Sequence, residues 1–269
     1  MEQKGIIRDI FFVIVIYNKR VDDVLRSVLP FSCELGDVFV YDNSPRQQSI
    51  TTQNIIYIHN PENGGVSAAY NAAYEIATER RKKWLLLLDH DTICTTEYLD
   101  ELERQITQHP DTSVFVPRLC ANGNVVSPFR WMAGRGWKIN VNKNVYPLNR
   151  YRFANSGALV SCTAFGRICG YSEKIKLDFA DIAFGERLLS ITDHFVVVNA
   201  ELQHDFSATQ TQQSKTALAR FKMFCTDAHA MQDEFGNGLV LRINTLLRAC
   251  KLTLRHRNLS FLKTALSTA

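Results

Sequence analysis

The stretch LLLLDHDT, residues 85–92, runs four leucines directly into two aspartates, Asp89 and Asp91. Such a continuous apolar run is typical of a strand that is buried on both faces of a sheet. Burying an unpaired carboxylate is costly or forces it to take up a proton, so the two aspartates are expected at the open end of the strand, facing a cation. The stretch therefore predicts a buried strand that delivers two carboxylates to a ligand site.

The composition is that of a folded protein. The chain has 269 residues, of which 46% are hydrophobic and 22% charged, enough for one large α/β domain or two small ones. Its seven cysteines are scattered without a C-x-x-C pair, which favours a reduced, cytoplasmic protein over a disulfide framework or a zinc site. The apolar stretch near the N-terminus is too short to span a bilayer and lacks a small-residue cleavage site, so we expect a core strand rather than a signal peptide.

Strands and helices alternate in the first part of the chain. The predicted order is strand IFFVIVI (10–16), helix VDDVLRSVL (21–29), strand DVFVYDNS (37–44), strand NIIYIHN (54–60), a helix within PENGGVSAAYNAAYEIATERRKK (61–83), strand WLLLLDHD (84–91) and helix TTEYLDELERQITQ (95–108), capped by Thr95 or Thr96. This alternation predicts a doubly wound parallel sheet, in which ligands bind beyond the carboxyl ends of the strands. The polar residues at those ends are Tyr17, Asp42, the loop at Asn63, and Asp89.

The pattern loosens after residue 116. Residues 120–152 are rich in Asn, Gly, Arg and aromatic residues and are predicted to form an extended functional loop. ANSGALVSCTAF (154–165) is predicted to pass from a strand into a helix, and KLDFADIAFGERLLSI (176–191) to form an amphipathic helix. A last strand, FVVVNAELQHDF (195–206), is predicted to carry His204 near its end.

The net charge is only +4, but its distribution is uneven. Residues 112–172 contain no acid and eight basic residues, and no acid occurs from Phe235 onward, where the basic residues are Arg242, Arg248, Lys251, Arg255, Arg257 and Lys263. Such stretches favour an anionic partner or a membrane surface, and a merely solubilising face is the alternative. The tail is predicted to be helical from about Thr216, and it carries one apolar stripe, Ile243, Leu246, Leu247, Cys250 and Leu254. A basic amphipathic helix of this kind lies on an anionic membrane or packs on the rest of the domain.

The aspartate pair suits a divalent metal. Mg²⁺ and Mn²⁺ prefer carboxylate oxygens and often share their coordination shell with substrate phosphates. The alternative role of the pair, capping the following helix, is already served by Thr95 or Thr96.

Two further segments indicate a nucleotide. Asp42, at the end of VYDNS (40–44), can accept hydrogen bonds from a ribose or a base edge, or it can form an ordinary Asx turn. The ENGG loop (62–65) offers backbone N–H groups at a helix N-terminus to an anion. The loop is neither G-x-G-x-x-G nor a Walker loop, so neither a dinucleotide cofactor nor ATP is indicated.

Together these segments resemble the inverting family 2 glycosyltransferases of the GT-A fold, and especially their bacterial rhamnosyltransferase-like branch. The matching motifs, between about residues 8 and 205, are VIVIYN (13–18), VYDNS (40–44), NPENGGVSAAYNAA (60–73), LLLLDHDT (85–92), ANSGALVS (154–161) and LDFADIAFGER (177–187). The resemblance implies a Rossmann-like, doubly wound mixed α/β sheet in a glycosyltransferase domain at 1–215. Its nucleotide-binding half would span about 8–118 and its acceptor half about 119–215, followed by a basic helical extension at 216–269.

The resemblance also implies roles for individual residues. The nucleotide pocket would be lined by Tyr17, Asn18, Asp42, Asn63, Gly64, Gly65, Asn71 and Asp89. A divalent metal, Mn²⁺ or Mg²⁺, would be held by Asp89, Asp91 and His204, although a structural role is the alternative for the histidine. Asp181 falls at the position of the catalytic base, six residues before Arg187. Contacts to the donor or acceptor sugar would come from Asn155, Ser156, Gly157, Asp178 and Arg187.

The sequence departs from the family pattern at three places. The family usually has an acid directly before the base and another two positions after it, where this chain has Ala180 and Ala183. Tyr70 stands where the family usually has an arginine. Asp178, three residues before Asp181 and so one helical turn away, is an alternative base.

The implied reaction moves a sugar, with inversion, from a UDP- or TDP-sugar, rhamnose being one candidate, to a glycan or lipid-linked acceptor in cell-surface polysaccharide synthesis. A carboxylate would remove the proton of the acceptor hydroxyl, and a metal would neutralise charge on the diphosphate. Nucleic acid is not an expected partner, and the expected location is the cytoplasm or the inner face of the membrane. Two alternatives stay open. A nucleotidyltransferase normally has a glycine-rich loop that IYNKRVDD (16–23) lacks, and a non-catalytic homologue or membrane scaffold would account for the alanines beside Asp181.

Overall fold

The computed structural model of the protein describes residues 5–29, 37–204, 214–236 and 238–267. The strands are β1 (Ile10–Ile16), β2 (Val38–Asp42), β3 (Ile56–His59), β4 (Trp84–Asp89), β5 (Val114–Ala121), β6 (Asn124–Ser127), β7 (Phe129–Met132), β8 (Arg135–Trp137), β9 (Val145–Pro147), β10 (Tyr151–Arg152), β11 (Leu159–Ser161) and β12 (His194–Gln203). The α-helices are α1 (Val21–Val28), α2 (Gly65–Glu79), α3 (Thr96–Gln108), α4 (Cys162–Arg167), α5 (Ala180–Leu188), α6 (Ser214–Phe235), α7 (Gly238–His256) and α8 (Ser260–Ser267).

The main sheet is mixed, with the strand order β3-β2-β1-β4-β11-β5-β12-β9 and β6 paired to β5. Strands β3, β2, β1 and β4 are parallel neighbours, and β11 runs antiparallel to both β4 and β5. Parallel neighbours joined by α1 and α2 require crossover connections, which cover the sheet with helices. The predicted doubly wound mixed α/β sheet is confirmed.

The apolar strands are buried on both faces, as their sequences predict. In β1, Phe11, Val13 and Val15 belong to one core cluster, and the alternate residues belong to a second cluster on the other face. Successive side chains of a strand point to opposite faces, so a continuous apolar run fills two cores at once. The helix after β4 begins as predicted, because the Thr95 hydroxyl accepts a hydrogen bond from the Tyr98 N–H at 3.2 Å.

The expectation of an extended loop at 120–152 is wrong. This segment contains β6 to β10, and β10, β7 and β8 form a small separate sheet in the order β10-β7-β8. These strands are two to four residues long and about half exposed, so they lack the buried apolar run by which a strand is recognised in sequence. Strands β7 and β8 pair as an antiparallel hairpin, with Met132 opposite Arg135.

The C-terminal segment is helical, as predicted, and has a core of its own. Buried residues from α6, α7 and α8 form a separate cluster, Ala217, Phe221, Phe224, Cys225, Ala249, Phe261 and Ala265. Phe179, just before α5, packs against both this cluster and the core of the sheet. In the described residues no helix has the length and apolarity needed to cross a membrane.

Candidate active site

The carboxyl end of β4 meets the chain that follows β12. β4 ends at Asp89, and Thr92 pairs with His204 as an isolated antiparallel bridge, with 2.6 Å between the Thr92 Oγ1 and the His204 Nδ1. One ligand atom from each of Asp89, Asp91 and His204 lies within 4.8 Å of the others. The structure thus brings together the three residues that were assigned to the metal from sequence.

This group fits a divalent cation. The Asp91 Oδ1 is buried and accepts no hydrogen bond from the described residues, and it lies 3.3 Å from the His204 Nδ1; the two side chains are 19% and 8% exposed. A buried carboxylate oxygen without a hydrogen bond is costly unless a cation binds there. Two carboxylates and an imidazole are ligands that Mn²⁺ accepts readily, and Mg²⁺ takes the carboxylates. The donor set and the Asp91 oxygen that lacks a hydrogen bond therefore fit the implied metal.

The electrostatics of Asp89 also indicate that a cation binds at this group. Burial, together with the nearby charge of Asp91, raises the pKa of Asp89 to about 7. The adjacent Ser156 side chain opposes this rise only in part. Two neighbouring carboxylates without a cation resist ionising together, whereas a bound cation reverses that balance.

The loop at 155–157 supports the end of β4. The backbone N–H of Asp89 donates to the Ser156 Oγ at 3.0 Å, and that hydroxyl donates to the Thr92 Oγ1 at 2.8 Å. Gly157 has a φ of +80°, and a Cβ added there would lie 2.6 Å from Pro117 Cγ. Asn155 accepts a hydrogen bond from the Tyr171 hydroxyl at 2.8 Å. These three residues were assigned to sugar contacts, and in this structure the contacts of Ser156 connect Asp89 to Thr92.

Asp42 is enclosed in this structure. It is 0% exposed, and its oxygens accept hydrogen bonds from the Ser44 N–H at 2.8 Å, the Gln48 Nε2 at 3.0 Å and the Tyr57 hydroxyl at 2.7 Å. The bond to Ser44 is the Asx turn that the sequence left as an alternative. A nucleotide could reach the carboxylate only by displacing Gln48 or Tyr57.

Beside Asp42 lies an open, basic cleft of about 390 Å³. Its lining residues are Asn18, Lys19, Arg20, Ser44, Pro45, Arg46 and Gln48. The Asn18 N–H donates to the Ser44 Oγ at 2.8 Å, which joins the ends of β1 and β2, and Tyr17 is 46% exposed. Exposed cations at the carboxyl ends of parallel strands suit an anionic ligand.

The NGG segment makes a close backbone contact. Asn63 has a φ of 52°, Gly64 precedes α2, and Gly65 has a φ of +79°. A Cβ at Gly65 would lie 2.1 Å from the carbonyl oxygen of Lys176, which accepts a hydrogen bond from the Val66 N–H at 2.8 Å. Only glycine fits here, because both the backbone conformation and the space exclude a side chain.

Asn71 bridges α2 to the chain before α5. Its Nδ2 donates to the Tyr171 carbonyl at 3.0 Å, and its Oδ1 accepts from the Tyr171 N–H at 2.9 Å. Its Nδ2 also lies 3.2 Å from the Glu173 Oε1. The amide is therefore engaged within the protein, and any support of a nucleotide by Asn71 would be indirect.

Asp181 lies near the start of α5 and faces a second cleft. Phe179, directly before the helix, has a φ of 65°, and the Ile182 N–H donates to the Asp181 Oδ1 at 2.8 Å. Burial raises the pKa of Asp181 to about 6, and the charge of Asp178 contributes to the rise. A carboxyl with a pKa of this kind is suited to take up a proton near neutral pH.

The cleft at Asp181 is aromatic and has a volume of about 360 Å³. Its lining residues are Val126, Phe129, Trp131, Gly136, Lys138, Phe179, Asp181 and Ile182. Four of these come from the β7–β8 hairpin and the residue after it. Aromatic rings and one cation beside a carboxylate suit a ligand with apolar faces and an anionic group.

The alternative base, Asp178, is engaged elsewhere. Both of its oxygens accept hydrogen bonds from the Arg220 guanidinium on α6, one of them at 3.0 Å. Asp178 lies before α5 rather than in it, so the predicted relation of one helical turn to Asp181 is wrong. The helix begins late because Phe179 is left-handed and the Asp227 carboxylate accepts from the N–H groups of residues 176–178.

Arg187 ties α5 to α6. Its Nε and Nη2 donate to the Glu234 Oε1 at 2.8 and 2.6 Å, and its Nη1 donates to the Gly170 carbonyl at 3.0 Å. These contacts commit the guanidinium to the protein, so the sugar contact implied for Arg187 has no direct support in the geometry.

The sequence pattern did not single out several residues of the two clefts. Trp131 and Lys138 were counted only as part of an aromatic, basic segment, because short exposed strands do not reveal which side chains face inward.

Tyr70 is fully buried, and its hydroxyl makes no hydrogen bond in the described residues. Burial raises the pKa of Tyr70 well above its ordinary value, and the charges of Asp89 and Asp181 add to this. The tyrosine at the position where an arginine was expected is therefore close enough to both acidic centres to sense their charges.

Comparisons with known proteins agree with this geometry. The family model described as glycosyl transferase family 2 matches residues 11–169. The crystal structure of GalNAc-T7 with UDP, GalNAc and Mn²⁺ is similar at a TM-score of 0.58 and 13% identity, over 95% of this chain and 55% of that one. The crystal structure of S. aureus TarS 1-349 in complex with UDP-GlcNAc is similar at a TM-score of 0.55 and 13% identity, over 94% of this chain and 79% of that one.

A structure of a longer S. aureus TarS chain is also similar, at a TM-score of 0.53 and 13% identity, over 95% of this chain and 49% of that one. The chain thus spans about half the length of GalNAc-T7 and of that TarS chain. No curated protein matches the chain in sequence. At these identities the likeness establishes the fold, and the predicted GT-A fold is confirmed.

Proposed function

The chain belongs to glycosyl transferase family 2, and from this premise we propose that it transfers a sugar, with inversion, from a nucleoside diphosphate sugar to the hydroxyl of a glycan or lipid-linked acceptor. The donor-binding half would span about residues 8–118 and the acceptor half about 119–215, with the helical extension at 216–269. The observation that carries the proposal is the arrangement of Asp181, which faces an open cleft with a pKa of about 6 while its rival Asp178 is held by Arg220.

The proposed donor is a UDP- or TDP-sugar, with rhamnose one candidate sugar. The fold neighbours support a uridine nucleotide, since GalNAc-T7 was crystallised with UDP and TarS with UDP-GlcNAc. In this chain the basic cleft lined by Lys19, Arg20 and Arg46 would hold the nucleotide against the ends of β1 and β2. Opening of the Gln48 side chain would expose Asp42 to the base or ribose.

The proposed metal ligands are Asp89, Asp91 and His204. A bound Mn²⁺ or Mg²⁺ would neutralise the negative charge that grows on the departing diphosphate. The chain's own contribution is to fix the segment from Asp89 to Thr92, which carries both aspartates, through the Ser156 hydroxyl and the Thr92 bridge.

Asp181 is the proposed general base. As the acceptor oxygen bonds to the anomeric carbon and the nucleoside diphosphate leaves, the carboxylate would take up the hydroxyl proton. The raised pKa favours this step, because a more basic carboxylate binds the proton more tightly while staying ionised above about pH 6.

The proposed acceptor site is the cleft formed with the β7–β8 hairpin. Trp131 and Phe129 would pack on the apolar face of a sugar ring, and Lys138 would bind a phosphate or another anionic group of the acceptor. The acid-free composition of residues 112–172 is consistent with an anionic acceptor. Cell-surface polysaccharide synthesis is the proposed pathway.

A first experiment tests the donor. Thermal unfolding would be measured with UDP-, TDP- and GDP-sugars, each with and without Mn²⁺, followed by release of free nucleoside diphosphate from the stabilising donor. The proposal expects stabilisation by one donor class, and hydrolysis by the wild type that Asp181→Asn lacks. Pyrophosphate release from a nucleoside triphosphate and a sugar phosphate would instead identify a nucleotidyltransferase. Donor binding without any turnover would identify a non-catalytic homologue.

A second experiment tests the acceptor cleft with two tryptophans of the same hairpin. Trp131 lines the cleft, whereas Trp137 lies on the outer face and is 50% exposed. With a soluble acceptor, Trp131→Ala is expected to raise the acceptor KM with donor affinity retained, and Trp137→Ala to leave both parameters unchanged. Equal effects of the two substitutions, at comparable thermal stability, would count against the cleft as the acceptor site.

A further inference from the structure

An apolar stripe runs along α7 on the side facing solvent. Its members recur at helical spacing, and all are exposed: Leu239, Ile243, Leu247, Cys250 and Leu254. Leu239 and Leu254, at the two ends, are 74% and 80% exposed. Leu246, which the sequence pattern placed in this stripe, is half-buried and packs on the helical core instead.

The stripe lies opposite the face by which α7 is held. Leu241, Thr245 and Ala249 are buried, and they recur at the same spacing on the other side of the helix. The apolar stripe therefore takes no part in holding α7 against the protein, and a large apolar surface is left exposed to water. Contiguous exposed apolar patches of this kind mark interaction sites on folded proteins.

The β7–β8 hairpin adjoins α7 and carries exposed apolar side chains of its own. The Arg135 Nε donates to the Asn244 Oδ1 at 2.7 Å, and the Asn244 Nδ2 donates to the Ala133 carbonyl at 2.9 Å, so the turn of the hairpin rests on the helix. Beside that turn, Met132 and Trp137 are 45% and 50% exposed. Because side chains alternate along a strand, they point away from the Trp131 face that lines the Asp181 cleft.

The charges around the stripe select an anionic partner. No acid occurs from Phe235 onward, and Arg242, Lys251 and Arg255 on α7 are exposed. Arg248 is exposed as well, but its guanidinium packs over the Phe224 ring at 4.0 Å and so is engaged within the protein. A second copy of the chain would bring the same cations against one another, which disfavours self-association through this face.

We propose that the α7 stripe and the outer face of the β7–β8 hairpin dock together on an anionic lipid bilayer. The apolar side chains enter the boundary between headgroups and acyl chains, and the flanking cations bind the anionic headgroups. Trp137 contributes an aromatic side chain of the kind that is enriched at this depth. The inner face of the same hairpin lines the Asp181 cleft, so, on the proposed function, docking brings the acceptor site close to lipid-linked acceptors.

The test is co-sedimentation of the full chain with vesicles. Vesicles of phosphatidylcholine are compared with vesicles that also contain phosphatidylglycerol, each at low and high salt. The expected result is at least about tenfold more binding to the anionic vesicles at low salt, weakened by salt. Failure to bind anionic vesicles at low salt overturns the proposal.

Matched variants assign the binding to this surface. The double substitution Ile243→Ser and Leu247→Ser is expected to abolish binding, while Leu189→Ser, at an exposed leucine on another helix end, retains it. Lys251→Gln with Arg255→Gln is expected to weaken binding more than Arg26→Gln with Arg81→Gln, which removes the same charge from exposed sites elsewhere. Circular dichroism and the thermal midpoint establish that each variant is folded.

Other outcomes discriminate between occupants. Binding that survives the stripe variants, or that is equal on neutral vesicles, overturns the proposal. A concentration-dependent dimer that the stripe variants dissociate, in a protein that ignores vesicles, identifies a second copy as the occupant and also overturns it. Transfer to a soluble acceptor is measured in parallel, so that loss of docking is distinguished from failure of the proposed function.

Discussion

Arg220 holds both carboxylate oxygens of Asp178, with one hydrogen bond at 3.0 Å and a second shorter contact. The pair joins the segment before α5 to α6. It also makes Asp178 unsuitable as the catalytic base, because a carboxylate fixed by a guanidinium has few lone pairs left for an acceptor hydroxyl. Asp181, only three residues on, carries no such ion pair in the described residues and faces a cleft.

The two aspartates are therefore expected to respond differently to the same substitution. Asp181→Asn should lower turnover by about 10²–10⁴-fold, the usual contribution of general base catalysis, with donor affinity retained. Asp178→Asn should mainly lower the thermal midpoint, because it leaves the Arg220 guanidinium without its partner. Steady-state kinetics and thermal unfolding on both variants make the comparison. A larger loss of turnover in Asp178→Asn would reverse the assignment.

A second prediction concerns the pH dependence of stability. The folded protein raises the pKa of Asp181 from 3.8 to about 6, so the folded state binds this proton more tightly than the unfolded state. Its contribution to stability is therefore present at low pH and is lost as the pH rises from about 4 to about 6. Asp181→Asn, which stays neutral, should be more stable than the wild type by ~1–3 kcal/mol above that window and equal to it below.

Denaturant unfolding of both proteins across this pH range measures the difference. Replacing Asp181 is expected to stabilise the protein above this pH window, the opposite of the effect expected for most surface carboxylates. The gain in stability accompanies the loss of activity. A wild type as stable as Asp181→Asn at neutral pH would mean that Asp181 is better solvated than its burial indicates.

The sequence allowed much of the parallel half of the sheet to be predicted, for a simple reason. IFFVIVI (10–16) and LLLLDHDT (85–92) are apolar on both faces, and nothing but a strand covered on both sides buries them. The metal group could also be predicted in part, since Asp89 and Asp91 end one such strand. His204 was assigned only through the family resemblance, because its approach to the aspartates depends on pairing between distant parts of the chain.

What could not be predicted depends on contacts between segments far apart in sequence. The enclosure of Asp42 is made by Tyr57 and Gln48, and the ion pair of Asp178 is made by a residue of α6. The β7–β8 hairpin was not predicted because its strands are short and half exposed, so hydrophobic periodicity gives little indication of a strand there. Tertiary contacts rather than local sequence patterns decide these positions.

A third prediction isolates the close approach at Gly65. Gly65 and Gly123 both have a positive φ, +79° and +70°, but a Cβ at Gly65 would lie 2.1 Å from the Lys176 carbonyl, while a Cβ at Gly123 would meet nothing within 4 Å. Both alanine substitutions should cost about 1–2 kcal/mol for the left-handed backbone. Gly65→Ala should cost a further ~1–3 kcal/mol, because the backbone of two segments must separate.

The difference in unfolding free energy between the two variants measures that clash, since the backbone term is common to both. Gly65→Ala should also weaken donor binding if the segment supports the nucleotide, whereas Gly123→Ala should not. Equal destabilisation of the two variants would mean that the Lys176 segment shifts at little cost.

The last prediction concerns the metal group. In chelator-treated protein, the crowded pair of Asp89 and Asp91 lacks a cation, and burial with mutual repulsion raises the pKa of Asp89 to about 7. Mn²⁺ should therefore raise the thermal midpoint of the wild type, and a ligand at about 100 times its Kd contributes about 2.7 kcal/mol of stability. Asp91→Asn should lose this Mn²⁺-dependent shift, while Asp100→Asn, at an exposed position of α3, should keep it. Thermal unfolding is measured with and without UDP, because phosphate oxygens complete the coordination of such ions. A shift retained in Asp91→Asn, or absent from the wild type even with UDP, would show that these three side chains do not hold the ion.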